Sequence, residues 1–250
     1  MVRYVEIDIL KGIAVICMVL FHIFYYANNF GYKEFNYNSI SFNSLAKIAQ
    51  IIFIICVGIN LALAKKASDY KKESKEDYIL KSIKRILKLA FYAISMSIFT
   101  YIVFGDNYIK FGILHFIALS SLITFMFVDK ERIIHIILFI LIIFFIIKKV
   151  YPYLLINIFP KPIGFILGLN NNYNSLDHFP IIPWMILICI GIIIGNYLFK
   201  KKIKSLTIKN KISQSLESLG KHSLEIYIIH WLVLYYIFSY IYPKIRKKII

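Results

Sequence analysis

Acidic residues are scarce in this sequence: 13 Asp and Glu stand against 30 Lys and Arg, for a formal charge of +17. In a soluble chain that imbalance would suggest nucleic acid as a partner. Charge of either sign is also scarce, at 17% of 250 residues, while 60% of the chain is apolar. A soluble domain carries about a quarter charged residues. The composition therefore excludes a soluble nucleic-acid binder and describes a polytopic membrane protein with no soluble domain left over. Its lysines read as topology signals and contacts to anionic headgroups. Cysteine is rare too. Cys17, Cys56 and Cys189 all lie within apolar runs and form no CxxC pair, so neither a zinc site nor a disulfide framework is expected. No internal repeat is evident, which argues against an inverted-repeat transporter. The first apolar run lacks a small-residue cleavage site, so it is expected to stay as a helix.

What remains is a series of long apolar runs separated by basic blocks. Spans are expected at about 12–27, 45–64, 86–104, 111–128, 133–147, 181–199 and 222–242. The fold class is thus an all-α transmembrane bundle of about seven spans, forming one domain over 1–250. Residues 28–44 and the turns GDNYIK and DKER connect spans, and 65–88 is the most basic segment. Residues 148–180 hold Pro152, Pro160, Pro162 and Pro180 with the run NNNYNS, and read as an interfacial or re-entrant segment. With the amino terminus cytoplasmic, 20 of the 30 basic residues fall on the inside. An added span within 148–180 would bring the basic carboxyl tail inside as well. The fifth span, nearly pure Ile, Leu and Phe, is expected to face lipid.

The first span carries the most informative polar residues. Lys11 and His22 are eleven positions apart, a rotation of roughly 1100°, or about 20° beyond whole turns. Asp8, Lys11, Met18 and His22 therefore share one stripe, with Lys11 and His22 roughly 16 Å apart along the axis. Ionisable groups at such depth are costly and point to function. Toward the inner face lie Lys84, Arg85 and Lys88, and toward the outer half His115 and the pair Asp177–His178. His230, beside Tyr227, is expected near mid-membrane and reads equally as an interhelical hydrogen-bonding group. His135 and His222 read as structural groups at cytoplasmic ends. Fixed cations suit a phosphorylated acyl carrier such as coenzyme A, and an imidazole suits a general base or acyl carrier. Gly58, Gly191 and Gly195 read as close-packing positions, and Pro180, Pro183 and Trp184 as a stiff, anchored start to the sixth span.

These segments resemble a known family. RYVEIDILKGIAVICMVLFH (3–22), FIICVGINLAL (53–63), KFGILHFIALS (110–120), DHFPIIPWMILICIGIIIG (177–195) and LGKHSLEIYIIHW (219–231) are similar to the prokaryotic branch of the heparan-alpha-glucosaminide N-acetyltransferase catalytic-domain family. That family lies within a wider group related to the acyltransferase type 3 proteins. Lys11 and His22 fit that group's spacing of a basic residue, ten residues and a histidine, and Arg85 with Lys88 resembles its basic pair. The resemblance implies transfer of an acyl group, typically acetyl from acetyl-CoA, to a sugar or glycan on the far side of the membrane. On this reading His22, then His115, serves as base or carrier, and Asp177 or His178 orients the acceptor. Lys11, Arg85 and Lys88 would hold the donor, with Asp8 fixing Lys11. The expected setting is the inner membrane, with no metal, no nucleic acid, and an acceptor that is free or lipid-linked. Direct transfer and an acyl-histidine route both stay open, as does homo-oligomerisation. The alternatives are a proton- or solute-conducting transporter, or a non-catalytic scaffold of the same fold.

Overall fold

The structure, a computed structural model, describes residues 4–30, 40–155, 158–169, 174–201, 205 and 210–241. Most of the 28–44 loop, the first part of NNNYNS, Arg3, most of the KKKIK block and the basic carboxyl tail lie outside them. Ten α-helices follow in order: α1 Val5–Asn29, α2 Ile40–Tyr70, α3 Lys75–Phe104, α4 Ile113–Thr124, α5 Glu131–Val150, α6 Pro152–Leu155, α7 Lys161–Leu167, α8 Ile181–Lys200, α9 Lys211–Lys221 and α10 Ser223–Tyr236. A 3-10 turn, Gly105–Asn107, extends α3, and a π turn, Ile237–Ile241, extends α10. Among the described residues there is no named strand, only one isolated bridge between Phe111 and His178.

The chain is an all-α, multi-pass membrane protein. Among the described residues, six helices are long and apolar enough to cross a membrane: α1, α2, α3, α5, α8 and α10 with its π turn. The stretch expected to form the fourth span, 111–128, is helical only over Ile113–Thr124, about 18 Å at 1.5 Å per residue. Gly112 precedes its first turn, and a run of turns from Phe125 to Asp129 follows it. Residues 148–180 contain the short α6 and α7 and no described span, as the prolines led one to expect. The helices also run further into the basic segment than its composition suggested. α2 continues to Tyr70, and α3 begins at Lys75 behind a Ser74 cap that accepts the Asp77 N–H.

The described residues group into two compact units: those of 57–203, and those of 3–56 together with 204–250. Among the long helices of the first unit α8 is the most enclosed. Ile188, Cys189 and Ile192 are fully buried, and Gly58 and Gly195 let α2 and α8 approach. A Cβ on Gly58 would stand 2.3 Å from the Ile188 carbonyl oxygen, and one on Gly195 2.8 Å from that of Ile59. That contact bears out the reading of these glycines as packing positions. α5 buries only Ile134 and Leu141 and exposes Ile136, Phe139 and Ile140, the pattern of a helix solvated by lipid.

In the second unit α9 and α10 pack on α1. The α1–α9 contact is tighter than side chains permit, because it is made by glycines. A Cβ on Gly220 would lie 1.7 Å from the Asp8 carbonyl oxygen, and one on Gly12 2.1 Å from that of Leu216. Ser205 ties the start of α1: its hydroxyl accepts the Val5 N–H at 3.0 Å and donates to Glu6 at 2.8 Å.

Candidate functional site

The stripe of α1 turns inward. Asp8 and Lys11 form an ion pair at 2.7 Å, with side chains only 6% and 15% exposed. An i, i+3 pair on a helix is favourable, but burial makes it consequential, because loss of either partner leaves an enclosed charge. Cys56 of α2 lies near this end, its Sγ 4.0 Å from the Ile7 carbonyl oxygen. Three turns further along, the His22 Nδ1–H donates to the Met18 carbonyl at 2.8 Å. Its ring meets that of His230 on α10, with centroids 4.9 Å apart and planes at 74°. His230 repeats the local bond, donating from Nδ1 to the Ile226 carbonyl at 3.0 Å. Beyond the two imidazoles, the buried Tyr26 ring is packed among Phe30, Trp231, Tyr235 and Phe238.

In the other unit the polar residues sort to two ends, as the sequence depth ordering anticipated. At one end Lys65 pairs with Asp69, lies 3.8 Å from Asp129 and sits over the Tyr78 ring, whose hydroxyl donates to the Phe125 carbonyl. The α2–α3 connection and the 125–130 turns therefore share that end. Arg85 and Lys88 lie nearby on α3. Both are exposed, and the Lys88 ammonium stands 5.8 Å from the Tyr92 centroid.

At the opposite end, residues 174–179 run beside 107–111. The Leu176 N–H donates to Asn107 and the Phe179 N–H to Phe111. Lys110 donates to the Asn174 and Asp106 carbonyls. Asp177 caps α4: its carboxylate accepts the Ile113 N–H at 3.3 Å and occupies the space beside Gly112, where a Cβ would lie 2.8 Å from Oδ2. Burial pushes the Asp177 carboxyl up to about 6, although the N–H groups of Ile113 and His178 pull the other way. His178 stacks on Phe165 with centroids 3.9 Å apart and donates from Nε2 to the Phe165 carbonyl at 2.9 Å. Burial pushes this imidazole down, so it is a neutral ring at pH 7. His115 is 3.2 Å from Ser97 Oγ, whose hydroxyl already donates to the Ile109 carbonyl. The imidazole is therefore the donor in that pair.

These placements separate the candidates. Asp8, Lys11 and His22 are inward-facing groups of one unit. His115, Asp177 and His178 share one end of the other unit and are each engaged with backbone or hydroxyl groups. Arg85 and Lys88 sit on the outer face of α3.

The comparison with known families decides the relationship. A family model described as heparan-alpha-glucosaminide N-acetyltransferase, catalytic, matches residues 3–232. The chain belongs to that family. No curated protein and no solved structure matches it. The match takes in both compact units, every candidate residue above and His230. It makes this a protein of a membrane acyltransferase family, in agreement with the multi-pass fold.

Two features of the site carried little signal in the sequence. His230 was one of six histidines, and only the α1–α10 packing pairs it with His22. Asp177 was legible as a polar group at the mouth of α8, but its role as the α4 cap depends on contacts 64 residues away in the chain.

The Asp177 geometry has a measurable consequence. Its native carboxyl binds a proton more tightly than the unfolded one, so the native state is favoured at low pH. That advantage is lost as pH rises from about 4 to about 6, and the cost is constant above. Asp177→Asn keeps an acceptor for the Ile113 N–H without the charge. In detergent, the stability difference between wild type and Asp177→Asn should shift by roughly 1–3 kcal/mol against wild type between pH 4 and pH 7. A pH-independent difference in thermal midpoints would remove the explanation.

Proposed function

We propose that this protein transfers an acyl group, acetyl from cytoplasmic acetyl-CoA, to a sugar or glycan acceptor at the far side of the inner membrane. The observation that carries the reading is the inward stripe of α1, with an enclosed Asp8–Lys11 pair at one end and His22 against His230 three turns on. Lys11, held by Asp8, binds the phosphorylated end of the donor, and Arg85 and Lys88 supply further phosphate ligands. His22 is the general base, or the carrier if a covalent acyl-histidine forms. His115, Asp177 and His178 are the acceptor-side groups. Asp177 supports this assignment because a carboxyl with a value near 6 can both accept and donate near neutral pH. The two units act as one enzymatic domain, consistent with a family match that runs through both. The excess of basic residues on one set of loops supports a cytoplasmic amino terminus.

The donor half is tested by removing the pair without leaving a lone buried charge. The double variant Asp8→Asn with Lys11→Gln keeps two neutral hydrogen-bonding side chains in place. Its KM for acetyl-CoA should rise about 10- to 100-fold with a folded protein, the loss expected for one charge-assisted hydrogen bond to phosphate. Unchanged KM in the double variant would take Lys11 out of the donor site. A non-catalytic scaffold or a transporter would give no acetyl-CoA turnover in wild type at all.

A further inference from the structure

The end of the first unit that carries Asp177 and His178 holds more positive charge than its fold uses. Asn196, late in α8, donates to the Val128 carbonyl just before α5 at 2.7 Å, so the two packed helices run antiparallel. Lys148, in the last turn of α5, therefore returns to the end where α8 begins. There burial lowers the affinity of the His178 imidazole for a proton, and the Lys148 ammonium acts in the same direction, so that charge lies near the ring. Phe165, on which His178 stacks, lies one turn beyond Lys161 on α7. Among the described residues no carboxylate pairs with Lys148 or Lys161. Asp177 is taken up in capping α4, and Lys110 in the carbonyls of Asp106 and Asn174. With a cytoplasmic amino terminus this is the far side of the membrane, where the charge bias that sets topology disfavours lysine. A half-buried ammonium there without a counter-charge calls for an anion from outside the chain.

The surroundings of Lys148 indicate what brings that anion. One and two turns back along α5, Phe144 and Ile140 are exposed on a helix that buries only Ile134 and Leu141. A phosphate on Lys148 therefore has a lipid-solvated surface on one side, along which a hydrocarbon chain can lie. On the other side is His178. Its Nε2–H goes to the Phe165 carbonyl, so Nδ1 of the neutral ring is a lone pair able to accept a hydroxyl. We propose that the acceptor is a sugar carried on a lipid phosphate: Lys148 and Lys161 hold the phosphate, the chain lies along Phe144 and Ile140, and His178 Nδ1 accepts a sugar hydroxyl. This rests on the acyl-transfer reading above, to which it adds the class of acceptor. A free glycan would use neither the ammonium groups nor the apolar surface beneath them, and an ordinary anionic phospholipid would bring no sugar to be acetylated.

The test gives the full-length protein in detergent radiolabelled acetyl-CoA with glucosamine, glucosamine 1-phosphate, octyl glucosaminide or geranylphosphoryl-glucosamine as acceptor. The last should exceed each of the others in kcat/KM by about 10-fold or more, since it alone offers both the charged contact and the chain. In Lys148→Gln its advantage over octyl glucosaminide should shrink by about 10-fold, the loss of one charge-assisted hydrogen bond, while Lys148→Arg keeps the charge and the preference. The ratio is taken within one preparation, so a loss of folded protein cancels. Geranylphosphoryl-glucosamine should also raise the thermal midpoint of wild type more than phosphatidylglycerol does, and that difference should vanish in Lys148→Gln. A preference that survives Lys148→Gln, or equal protection by phosphatidylglycerol, would overturn the proposal, the second by marking an ordinary phospholipid site. If wild type acetylates free glucosamine as well as the lipid-linked form, the proposal falls and the acyl-transfer reading stands. If wild type acetylates none of these acceptors, that reading falls and takes the proposal with it.

Discussion

Replacing His22 with alanine is expected to lower acetyl transfer in proteoliposomes by about a thousandfold, within the range that general acid–base groups contribute. The expectation follows from its position. His22 sits inward on α1, against His230, with Nδ1 spent on the Met18 carbonyl and Nε2 left as the reactive nitrogen. The bond lost on substitution is local to one helix, so the fold should survive. His135 provides the control, since it makes the same bond to the carbonyl four residues earlier, Glu131, at 2.7 Å, but on an exposed surface. His135→Ala should stay within about twofold of wild type, because an exposed imidazole whose bond lies within its own helix has no part in the transfer. Labelled acetyl-CoA consumed at the wild-type rate by His22→Ala would remove this residue from the chemistry.

The second large effect concerns packing. Gly220→Ala places a methyl group 1.7 Å from the Asp8 carbonyl oxygen and 2.6 Å from its carbonyl carbon, so backbone must move. Alanine gains helix propensity of about 1 kcal/mol over glycine. Overpacking against rigid backbone costs more, typically 1–3 kcal/mol and above that where nothing can yield. A net loss of about 2 kcal/mol or more is expected, read as a lower thermal midpoint in detergent. Ser215→Ala on the exposed face of α9 should be near neutral. Because Gly220 abuts the turn that carries Asp8 and Lys11, the variant should also weaken donor binding in whatever protein remains folded. A Gly220→Ala midpoint equal to that of Ser215→Ala would show that the α1–α9 approach is looser than described.

Much of the architecture was legible in one dimension because the bilayer acts as a demanding solvent. Apolar runs must be helical there, since an unpaired backbone group has no water to turn to. The runs therefore became helices, α5 became a lipid-facing one, and 148–180 yielded only short pieces. The fourth span was less well read: the apolar stretch from 111 to 128 is long enough in composition, yet helical only over Ile113–Thr124. Hydropathy sees its side chains, while the helix start depends on the Asp177 cap, which comes from a distant part of the chain.

The sequence by itself determined the all-α membrane class, the placing of Asp8, Lys11 and His22 on one stripe, and the family resemblance. Helical periodicity and transfer energy are local properties, so a single chain segment reveals them. Only the tertiary structure decided which way that stripe faces, that His230 is the partner of His22, and that Gly12 and Gly220 bring α9 onto α1. Contacts between helices far apart in sequence depend on shape fitting at the scale of a methyl group, which no local pattern of residues encodes.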